Sequence, residues 1–316
     1  RIIREMQNYF DSLGFIEVET PCLTNMITGA AARPFVTHHN SLDRDFYLRI
    51  ATELPLKRLL VGGLERVYEF GRLFRNEGMD TKHSPEFTTV ELYQAFGDLR
   101  SMMEICETSI KRIAKNVFNG QEEFEWNGHV INIAKPFKTV AMVDLVKEVT
   151  GVDFNEITSF EEAKKLAEEK GLFVPNHFTG VGHILNLFFE EYCESTLIQP
   201  TFLTRHPIEI SPLTKVCEDD PRYVDRFELF IAGCEFANAY SELNDPIDQR
   251  NRFVAQLEEK NLGNDEAGDI DNDFLEALEY GMPPAGGIGM GVDRLVMFFT
   301  GSASIRDVIL FPLMKD

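Results

Sequence analysis

Two charged segments in the first third of the chain carry residue types suited to holding an anion. Phe74-Arg-Asn-Glu77 is followed, after a short loop, by His83-Ser-Pro-Glu-Phe87. An arginine just inside a strand end, opposite a loop with a second cation, can clamp an anion through two parallel hydrogen bonds. The alternative is an ordinary Arg–Glu pair on the surface of a hairpin.

A second group is acidic and lies around a predicted hairpin. If Ala232-Gly233 is a two-residue turn, Ile231 pairs with Cys234, and Glu228 and Glu235 become diagonal neighbours on one face. Two carboxylates so placed repel each other unless a cation lies between them. The expected cation is Mg²⁺ held together with a nucleotide phosphate. The alternative is an exposed acidic hairpin, which an acidic protein often has.

The same hairpin carries further polar residues at positions of the opposite parity. Asn238, Tyr240 and Glu242 alternate with each other but not with Glu235. Side chains of a regular strand alternate between its two faces. These residues can therefore share a cleft with Glu235 only if the strand contains a bulge, which we predict near Phe236 or Ala237.

Glycines mark the third segment, Gly286-Gly-Ile-Gly-Met-Gly-Val-Asp-Arg294. The alternating Gly287, Gly289 and Gly291 do not have dinucleotide-binding spacing, which requires two residues between the second and third glycine. In a strand they remove the side chains from one face, so that a flat ligand or another backbone can approach closely. A phosphate could then lie at Arg294. The alternative is a strand packed tightly under a helix.

The clearest predicted strand runs from Glu86 to Phe96. Its alternation places Val90, Leu92 and Phe96 on a core face. The opposite face carries a carboxylate and a phenol side by side and is expected to be wet or functional. It is formed by Phe87, Thr89, Glu91 and Tyr93.

Hydrophobic periodicity predicts the elements that must position these groups. Strands occur in runs, and helices are grouped between the runs without regular βαβ alternation. This favours an α+β fold with a mainly antiparallel sheet. Helices are predicted over Arg1–Leu13, Leu54–Val61, Asp98–Phe118, Ile247–Glu259, Phe274–Tyr280 and Leu295–Thr300, and strands over Phe15–Thr20, Phe46–Ile50, Arg66–Phe70, Arg72–Arg75, Arg226–Ile231 and Cys234–Leu243.

The segment from about residue 120 to 195 contains little that could do chemistry. Asn127-Gly128 predicts a hairpin turn, and Ser159-Phe-Glu-Glu162 predicts the capped start of a helix that ends at Gly171. We interpret this segment as a mostly helical inserted subdomain, 120–195, within a catalytic domain that spans 1–316.

Composition bounds the class of protein. No apolar run reaches the roughly 18 residues needed to span a membrane, and Arg1 opens an amphipathic segment rather than a signal peptide. The five cysteines have no CxxC spacing, which favours a reduced, cytoplasmic protein without structural zinc. The net charge of −21 argues against a broad basic surface for nucleic acid but not against a local groove.

Three segments in order resemble the signature motifs of the class II aminoacyl-tRNA synthetases over nearly the whole chain. Gly14-Phe-Ile-Glu-Val-Glu-Thr-Pro21 is similar to motif 1, which forms the dimer interface of that family. Phe74 to Phe87 is similar to motif 2, and Gly287 to Arg294 to motif 3. The ending Ile305-Arg-Asp-Val-Ile-Leu-Phe-Pro312 resembles the subclass for lysine, aspartate and asparagine.

Within that subclass the chain is most similar to the lysyl enzymes. Thr28-Gly-Ala-Ala-Ala-Arg33 and the residues after it resemble their signature loop, as do Glu86 to Tyr93 and Asn238-Ala-Tyr-Ser-Glu-Leu-Asn-Asp245. The chemistry agrees, because a pocket for a lysine side chain needs buried anionic acceptors. An aspartate pocket would need a cation there instead.

The resemblance implies a role for each matching position. Arg75 and Arg294 would be the catalytic residues. ATP would be bound by Arg75, Glu77, His83, Phe87, Glu228, Glu235, Gly291 and Arg294, with Phe87 stacked on adenine and Mg²⁺ at Glu228 and Glu235. L-lysine would be bound by Gly29, Glu53, Arg75, Glu91, Tyr93, Asn238, Tyr240 and Glu242.

The implied reaction is activation of lysine by ATP to lysyl-adenylate, followed by transfer to the 3′ end of tRNA(Lys). The resemblance also implies a homodimer formed through motif 1. Lysyl enzymes begin with an anticodon-reading β-barrel, but nothing precedes the motif 1 helix in this sequence, which opens on Arg1 rather than Met. Either the chain is a piece of a longer enzyme or it is a free-standing paralogue.

Three alternatives compete with this interpretation. A paralogue that lysylates a protein would share the fold and the activation step. A regulatory protein with the same fold would be expected to lack Arg75, Arg294, Glu228 or Glu235, and all four are present. An aspartyl or asparaginyl enzyme would require a pocket of the opposite polarity.

Overall fold

The computed structural model describes residues 1–27, 29–30, 32–264 and 267–314. The strands within these residues are β1 (Ile16–Glu17), β2 (Leu23–Thr24), β3 (Val36–His39), β4 (Arg44–Leu48), β5 (Arg66–Phe74), β6 (Glu86–Ala95), β7 (Glu123–Trp126), β8 (His129–Asn132), β9 (Lys138–Ala141), β10 (Thr201–Pro207), β11 (Tyr223–Ile231), β12 (Cys234–Ser241) and β13 (Ala285–Gly291). The helices are α1 (Ile2–Ser12), α2 (Glu53–Val61), α3 (Leu99–Val117), α4 (Met142–Thr150), α5 (Phe160–Glu169), α6 (Val181–Phe188), α7 (Pro246–Asn261), α8 (Asn272–Gly281) and α9 (Val292–Thr300).

A large sheet forms the centre of the fold. Its eight described strands lie in the order β1-β5-β6-β13-β12-β11-β10-β9. The pairs are antiparallel except at the two edges, where β1 pairs with β5 and β9 pairs with β10 in parallel. The predicted α+β class with a mainly antiparallel sheet is therefore confirmed.

One face of this sheet is covered by α1, α3 and α9, and the other face carries the site beside α2 and α8. Phe10 of α1, Ile110 of α3 and Phe298 of α9 pack with Leu92 and Ile288 of the sheet in a single apolar cluster. Burial of these large side chains supplies most of the driving force that holds the helices on this face. The opposite face carries the polar residues of β6, β12 and β13.

Most predicted elements are present with shifted ends. The hydrophobic spacing of α1 is confirmed, and Gly14 follows that helix with a φ of +80°. Two predictions about strands were wrong. The strand predicted over Phe15–Thr20 is reduced to β1, and the two strands predicted between Arg66 and Arg75 are one continuous strand, β5.

The apolar alternation of β6 holds until its last residue. Val90 and Leu92 are buried, as predicted, but Phe96 is 75% exposed. The strand ends at Ala95, and Phe96 adopts a φ of +58°, so that its side chain leaves the pleat. The assignment of Phe96 to the core was therefore wrong.

Local capping and turn signals predicted several boundaries correctly. Ser159, the predicted cap, accepts a hydrogen bond from the Glu162 amide at the start of α5. Asp98, where the long helix was predicted to begin, accepts one from the Ser101 amide at the start of α3. Asn127 and Gly128 both have positive φ, as the predicted two-residue turn between β7 and β8 requires.

The predicted inserted segment joins the main structure at two places. β9 extends the large sheet beside β10, and Trp126 packs against Phe236 and Phe298 of the central core. Its helices α4, α5 and α6 form a second apolar cluster with Leu203 and Phe230 of the sheet. Its status as an insertion between motif 2 and motif 3 stays a prediction.

The remaining chemical features of the chain are simple. All five cysteines are free thiols. Within the part of the chain that the structure describes, none of the helices combines the length and apolarity needed to cross a membrane.

Candidate active site

A cavity of about 770 Å³ lies on the polar face of the sheet, over β6, β12 and β13. Every predicted site residue except Glu242 lines it, although those residues come from distant parts of the chain. They are Gly29, Glu53, Arg75, Glu77, His83, Phe87, Glu91, Tyr93, Glu228, Glu235, Asn238, Tyr240, Gly291 and Arg294.

Strand register brings the polar residues of three strands together. Gly287 of β13 pairs with Tyr93 of β6 on one side and with Tyr240 of β12 on the other. Two positions along, Gly289 pairs in the same way with Glu91 and Asn238. Because both central positions are glycines, the flanking phenols, carboxylate and amide surround a floor that has no side chains.

The β-bulge predicted in the acidic hairpin is present. Leu229 pairs with Ala237 and Phe230 pairs with Glu235, so that Phe236 is the extra residue. Both Ala232 and Gly233 have positive φ, as a two-residue turn requires. The bulge changes the parity of β12 at Phe236, which explains how residues on both sides of it reach one cavity.

One end of the cavity is rich in cations and suits an anion. The guanidinium of Arg75 lies 5.3 Å from the ring centroid of Phe87, and its buried Nε has no hydrogen-bond partner among the described residues. Arg294 donates from Nη1 to the carbonyl oxygen of Glu235. His83 also lines this end, with its Nδ1 2.8 Å from a carboxylate oxygen of Asp80.

Glu228 and Glu235 have different electrostatic surroundings, although both are buried beside the cations. Burial alone would raise the pKa of Glu228, but Arg226 at 2.6 Å and His206 at 3.3 Å lower that pKa to about 2. Burial and the nearby Glu228 raise the pKa of Glu235 to about 7, against the opposing effect of Arg294. An additional cation beside Glu235 would therefore stabilise its ionised form.

This pair of carboxylates fits Mg²⁺ bound with a nucleotide rather than a metal caged by protein. Among the described residues, no group of three or more histidine, cysteine, aspartate or glutamate side chains could hold a metal ion. Mg²⁺ is commonly held by one or two carboxylates together with substrate phosphates and water. Glu228 and Glu235 beside Arg75 and Arg294 provide such a donor set.

The other end of the cavity is acidic. Tyr240 donates to Glu53 Oε2 at 2.6 Å, and Tyr93 donates to Glu91 Oε2 at 3.0 Å. Glu242 is fully buried directly beneath Gly287, and its Oε1 has no hydrogen-bond donor among the described residues.

The buried carboxyl group of Glu242 is hard to ionise. Burial raises its pKa to about 8, the carboxylates of Glu53 and Glu91 contribute to the increase, and Lys57 opposes it. An additional ammonium ion at this end would stabilise the ionised form.

A residue that the sequence analysis missed lies among these carboxylates. The Lys57 ammonium is 2.5 Å from Glu53 Oε1 and forms an ion pair with Glu242. Burial alone would lower the pKa of Lys57, but Glu242 and Glu53 raise it above its ordinary value. The four-residue spacing from Glu53 was the available signal, but on a helix this spacing usually marks a surface pair.

Lys57 also bears on the expected polarity of the pocket. No cation was expected here from the sequence, and a pocket for aspartate would need one. The structure has one ammonium among the three carboxylates of Glu53, Glu91 and Glu242. When all four groups are ionised the pocket is still negative, so that a cationic ligand remains the better match.

The described part of the predicted signature loop contributes Gly29, whose φ is +87° and which lines the cavity near Glu53. Thr28 and Ala31 of this loop lie outside the described residues.

Side chains from the predicted insertion and from α7 complete the cavity wall. They were not predicted because neither the inserted segment nor α7 carries a recognisable motif. They include His177, His183, Asn186, Glu190, Gln256 and Glu259.

Gly287 tolerates no side chain, which predicts a stability effect. A Cβ there would overlap Glu242 Oε1 and the ring of Tyr93, whereas a Cβ at Gly289 would come only within 3.5 Å of Glu91 Cγ. We expect Gly287→Ala to lower the free energy of unfolding by about 1–3 kcal/mol in urea titrations. Gly289→Ala is the matched control, and an equal loss in both variants would contradict the crowding at Gly287.

Comparison with known proteins gives a consistent result. The family described as tRNA synthetases class II (D, K and N) matches residues 1–315. The chain is 61% identical over 315 residues to the lysine–tRNA ligase of Lactococcus lactis subsp. lactis (strain IL1403), covering 100% of this chain and 64% of that relative. It is 58% identical over 316 residues to the lysine–tRNA ligase of Staphylococcus aureus (strain MRSA252), covering 100% of this chain and 63% of that protein. The chain thus spans less than two thirds of the length of these relatives.

Proposed function

Because this chain belongs to the class II tRNA synthetases of the D, K and N group, we propose that it is the catalytic part of a lysine–tRNA ligase. It would activate L-lysine with ATP and transfer the lysyl group to the 3′ end of tRNA(Lys). The names of the relatives, at about 60% identity over the full chain, support this substrate.

The observation that carries the choice of lysine is the Glu242 carboxylate. It is buried, Lys57 pairs with its Oε2, and its Oε1 has no hydrogen-bond donor among the described residues. A buried carboxylate left in this state is costly unless a ligand supplies the missing donors. An alkylammonium group supplies both positive charge and N–H donors, whereas the side chain of aspartate or asparagine supplies no positive charge.

We assign the rest of the acidic end to the same ligand. The ε-ammonium would be held at Glu242 with Tyr93 and Glu91, and Asn238 and Tyr240 would line its path. The α-ammonium would lie at Glu53 and Gly29. These assignments are supported by the cavity that these residues line above Glu242.

The cationic end would hold ATP. Phe87 would stack on the adenine with Arg294 on its other face, Arg75 would contact the α-phosphate and the lysine carboxylate, and His83 would approach the outer phosphates. Glu77 and Gly291 would complete this end, and Mg²⁺ bound with ATP would be held at Glu228 and Glu235. The unpartnered buried Nε of Arg75 supports an anion at this position.

The first reaction needs little beyond positioning and charge neutralisation. A lysine carboxylate oxygen would attack the α-phosphorus of ATP, the bond from that phosphorus to the oxygen bridging to the β-phosphate would break, and pyrophosphate would leave. No general base is required, because the α-carboxyl group of lysine is already ionised near neutral pH. Arg75 would neutralise charge on both reactants and hold them in line.

In the second reaction a ribose hydroxyl at the 3′ end of tRNA would attack the lysyl carbonyl carbon, and AMP would leave.

We further propose a homodimer formed through motif 1. The exposed apolar side chains of Ile16, Leu23 and Val36 near that motif support an interface there. The five free thiols support a cytoplasmic, reducing location.

ATP–pyrophosphate exchange tests the activation step. The chain, with Mg²⁺ and without tRNA, is supplied with each amino acid in turn. We expect exchange with lysine and background rates with aspartate and asparagine. Exchange with aspartate instead would overturn the assignment of the acidic end. Exchange with lysine but no transfer to tRNA(Lys) by the full-length protein would point to a protein acceptor.

A further inference from the structure

Lys57 lies between two carboxylates at the acidic end of the cavity, whereas Arg226, which also lines the cavity, pairs with Glu228 and donates to Asn238. The side chain of Lys57 is 0% exposed and extends from α2 between the two carboxylates. One belongs to Glu53, four residues earlier on the same helix, and the other to Glu242, which follows β12. The ammonium also lies 5.4 Å from the ring centroid of Tyr240.

The charges at this end can be counted from the groups that face one another. Glu53 and Lys57 come from α2, Glu91 and Tyr93 from β6, and Tyr240 and Glu242 from β12 and the residues after it. Burial raises the pKa of both tyrosines far above their ordinary value, so that they stay neutral. When all three carboxyl groups are ionised, they and the one ammonium leave two negative charges without a partner. Free lysine brings two ammonium groups.

We propose that Lys57 is a positioning and specificity-determining residue for lysine. Its ammonium joins Glu53 to Glu242 and leaves two negative charges, which match the two ammonium groups of the substrate. Lys57 stays in place when lysine binds and does not contact the reacting atoms. The inference rests on the proposed function, since it concerns how the same pocket selects its amino acid.

The physical reason is the repulsion among buried carboxylates. Without Lys57, the three carboxyl groups would lie close together with no cation, and at least one would take up a proton. Glu242 is the most susceptible, because its pKa is already about 8 with Lys57 beside it. A protonated Glu242 has no charge to offer a substrate ammonium.

The pH dependence of the KM for lysine depends on the ionisation of Glu242. Lysine binding requires the ionised form of Glu242, and that form becomes more populated as the pH rises through its pKa. In the parent protein the KM for lysine should therefore fall between about pH 6.5 and 8.5, with a midpoint near 8. Removal of Lys57 raises the pKa of Glu242 further, which moves the midpoint upward and out of this range.

The experiment compares the parent protein with Lys57→Met, which keeps an unbranched side chain of nearly the same length and removes its charge. We expect the KM for lysine in ATP–pyrophosphate exchange to rise about 30-fold at pH 7.5, with the KM for ATP unchanged. The matched control is Lys111→Met, because Lys111 forms the same four-residue pair with Glu107 on α3, away from the cavity. It should leave both constants and the pH profile unchanged.

The possible outcomes separate this inference from the proposed function. Absence of lysine-dependent exchange in the parent protein would refute the function itself. An active parent with an unchanged or lower KM for lysine in Lys57→Met would overturn the role of Lys57, because it would mean that the substrate ammonium displaces Lys57. A raised KM with an unshifted pH midpoint would also overturn it and would indicate a purely structural effect.

A charge-preserving variant covers the case in which Lys57→Met does not fold. Lys57→Arg keeps the cation, so that the pH midpoint should stay within about half a unit of the parent value. If the pH midpoint of the KM for lysine in Lys57→Arg also moved above pH 8.5, as expected when the charge is lost, the charge-balance role would be contradicted.

Discussion

Replacement of Arg75 with alanine is expected to reduce lysine-dependent ATP–pyrophosphate exchange by about 10³-fold. Arg75 would neutralise charge on both the lysine carboxylate and the α-phosphate, so that its loss acts on the transition state more than on either substrate alone. Arg75→Lys keeps the charge but cannot form the planar, bidentate hydrogen bonds of a guanidinium, and it should recover only a small part of the activity. The measurement is the exchange rate at saturating ATP and lysine.

The structure also predicts that this loss occurs without unfolding. The buried Nε of Arg75 has no hydrogen-bond partner among the described residues, so that few native contacts are lost with the side chain. The melting temperature of Arg75→Ala should stay within a few degrees of the parent value. The control is Arg250→Ala, which removes an exposed arginine 3.9 Å from Glu279 and should leave exchange unchanged. Arg75→Ala with more than a tenth of the parent rate would remove Arg75 from the reaction.

Replacement of Glu242 with glutamine should abolish selection of lysine with little change in shape. The substitution removes the negative charge from a fully buried position and presents an amide to the Lys57 ammonium. Loss of one partner of a buried ion pair costs about 3–5 kcal/mol. Because about 1.4 kcal/mol corresponds to tenfold, kcat/KM for lysine should fall by about 10²–10⁴-fold.

The Glu242→Gln result is informative only if the ATP end is intact. The KM for ATP should remain within about twofold of the parent value, since Arg75 and Phe87 lie at the other end of the cavity. Glu107→Gln, which removes the carboxylate of the matched pair on α3, should leave kcat/KM for lysine unchanged. An equal loss for lysine and ATP in Glu242→Gln would indicate general damage rather than loss of the ammonium site.

The sequence by itself determined the features that depend on local geometry. The bulge predicted near Phe236 or Ala237 followed from a two-residue turn at Ala232-Gly233 and from strand parity, given that the polar residues share one cleft, and both the turn and the bulge are present. The glycines at Gly287 and Gly289 were correctly expected to clear one face of a strand. Such features are predictable because the two-residue period of a strand and the φ limits of a turn act over a few residues.

The order of three motifs along the chain determined the family, which the match over residues 1–315 shows. Prediction from local periodicity was wrong at the end of strand β6. Phe96 continued the apolar pattern of β6 but lies outside the pleat, because the chain turns there through a positive φ. Periodicity cannot indicate the residue at which pairing stops.

Only the tertiary structure revealed Lys57 as part of the site. Its spacing from Glu53 fits a common surface ion pair, and nothing local distinguishes a lysine that points into the fold from one that points to water. Its burial depends on α2 lying across the sheet so that Glu242, nearly two hundred residues later, faces the same space. The reason is physical, since the free energy of a charge is set by the groups that surround it in space, and the folded arrangement of distant segments decides which groups those are.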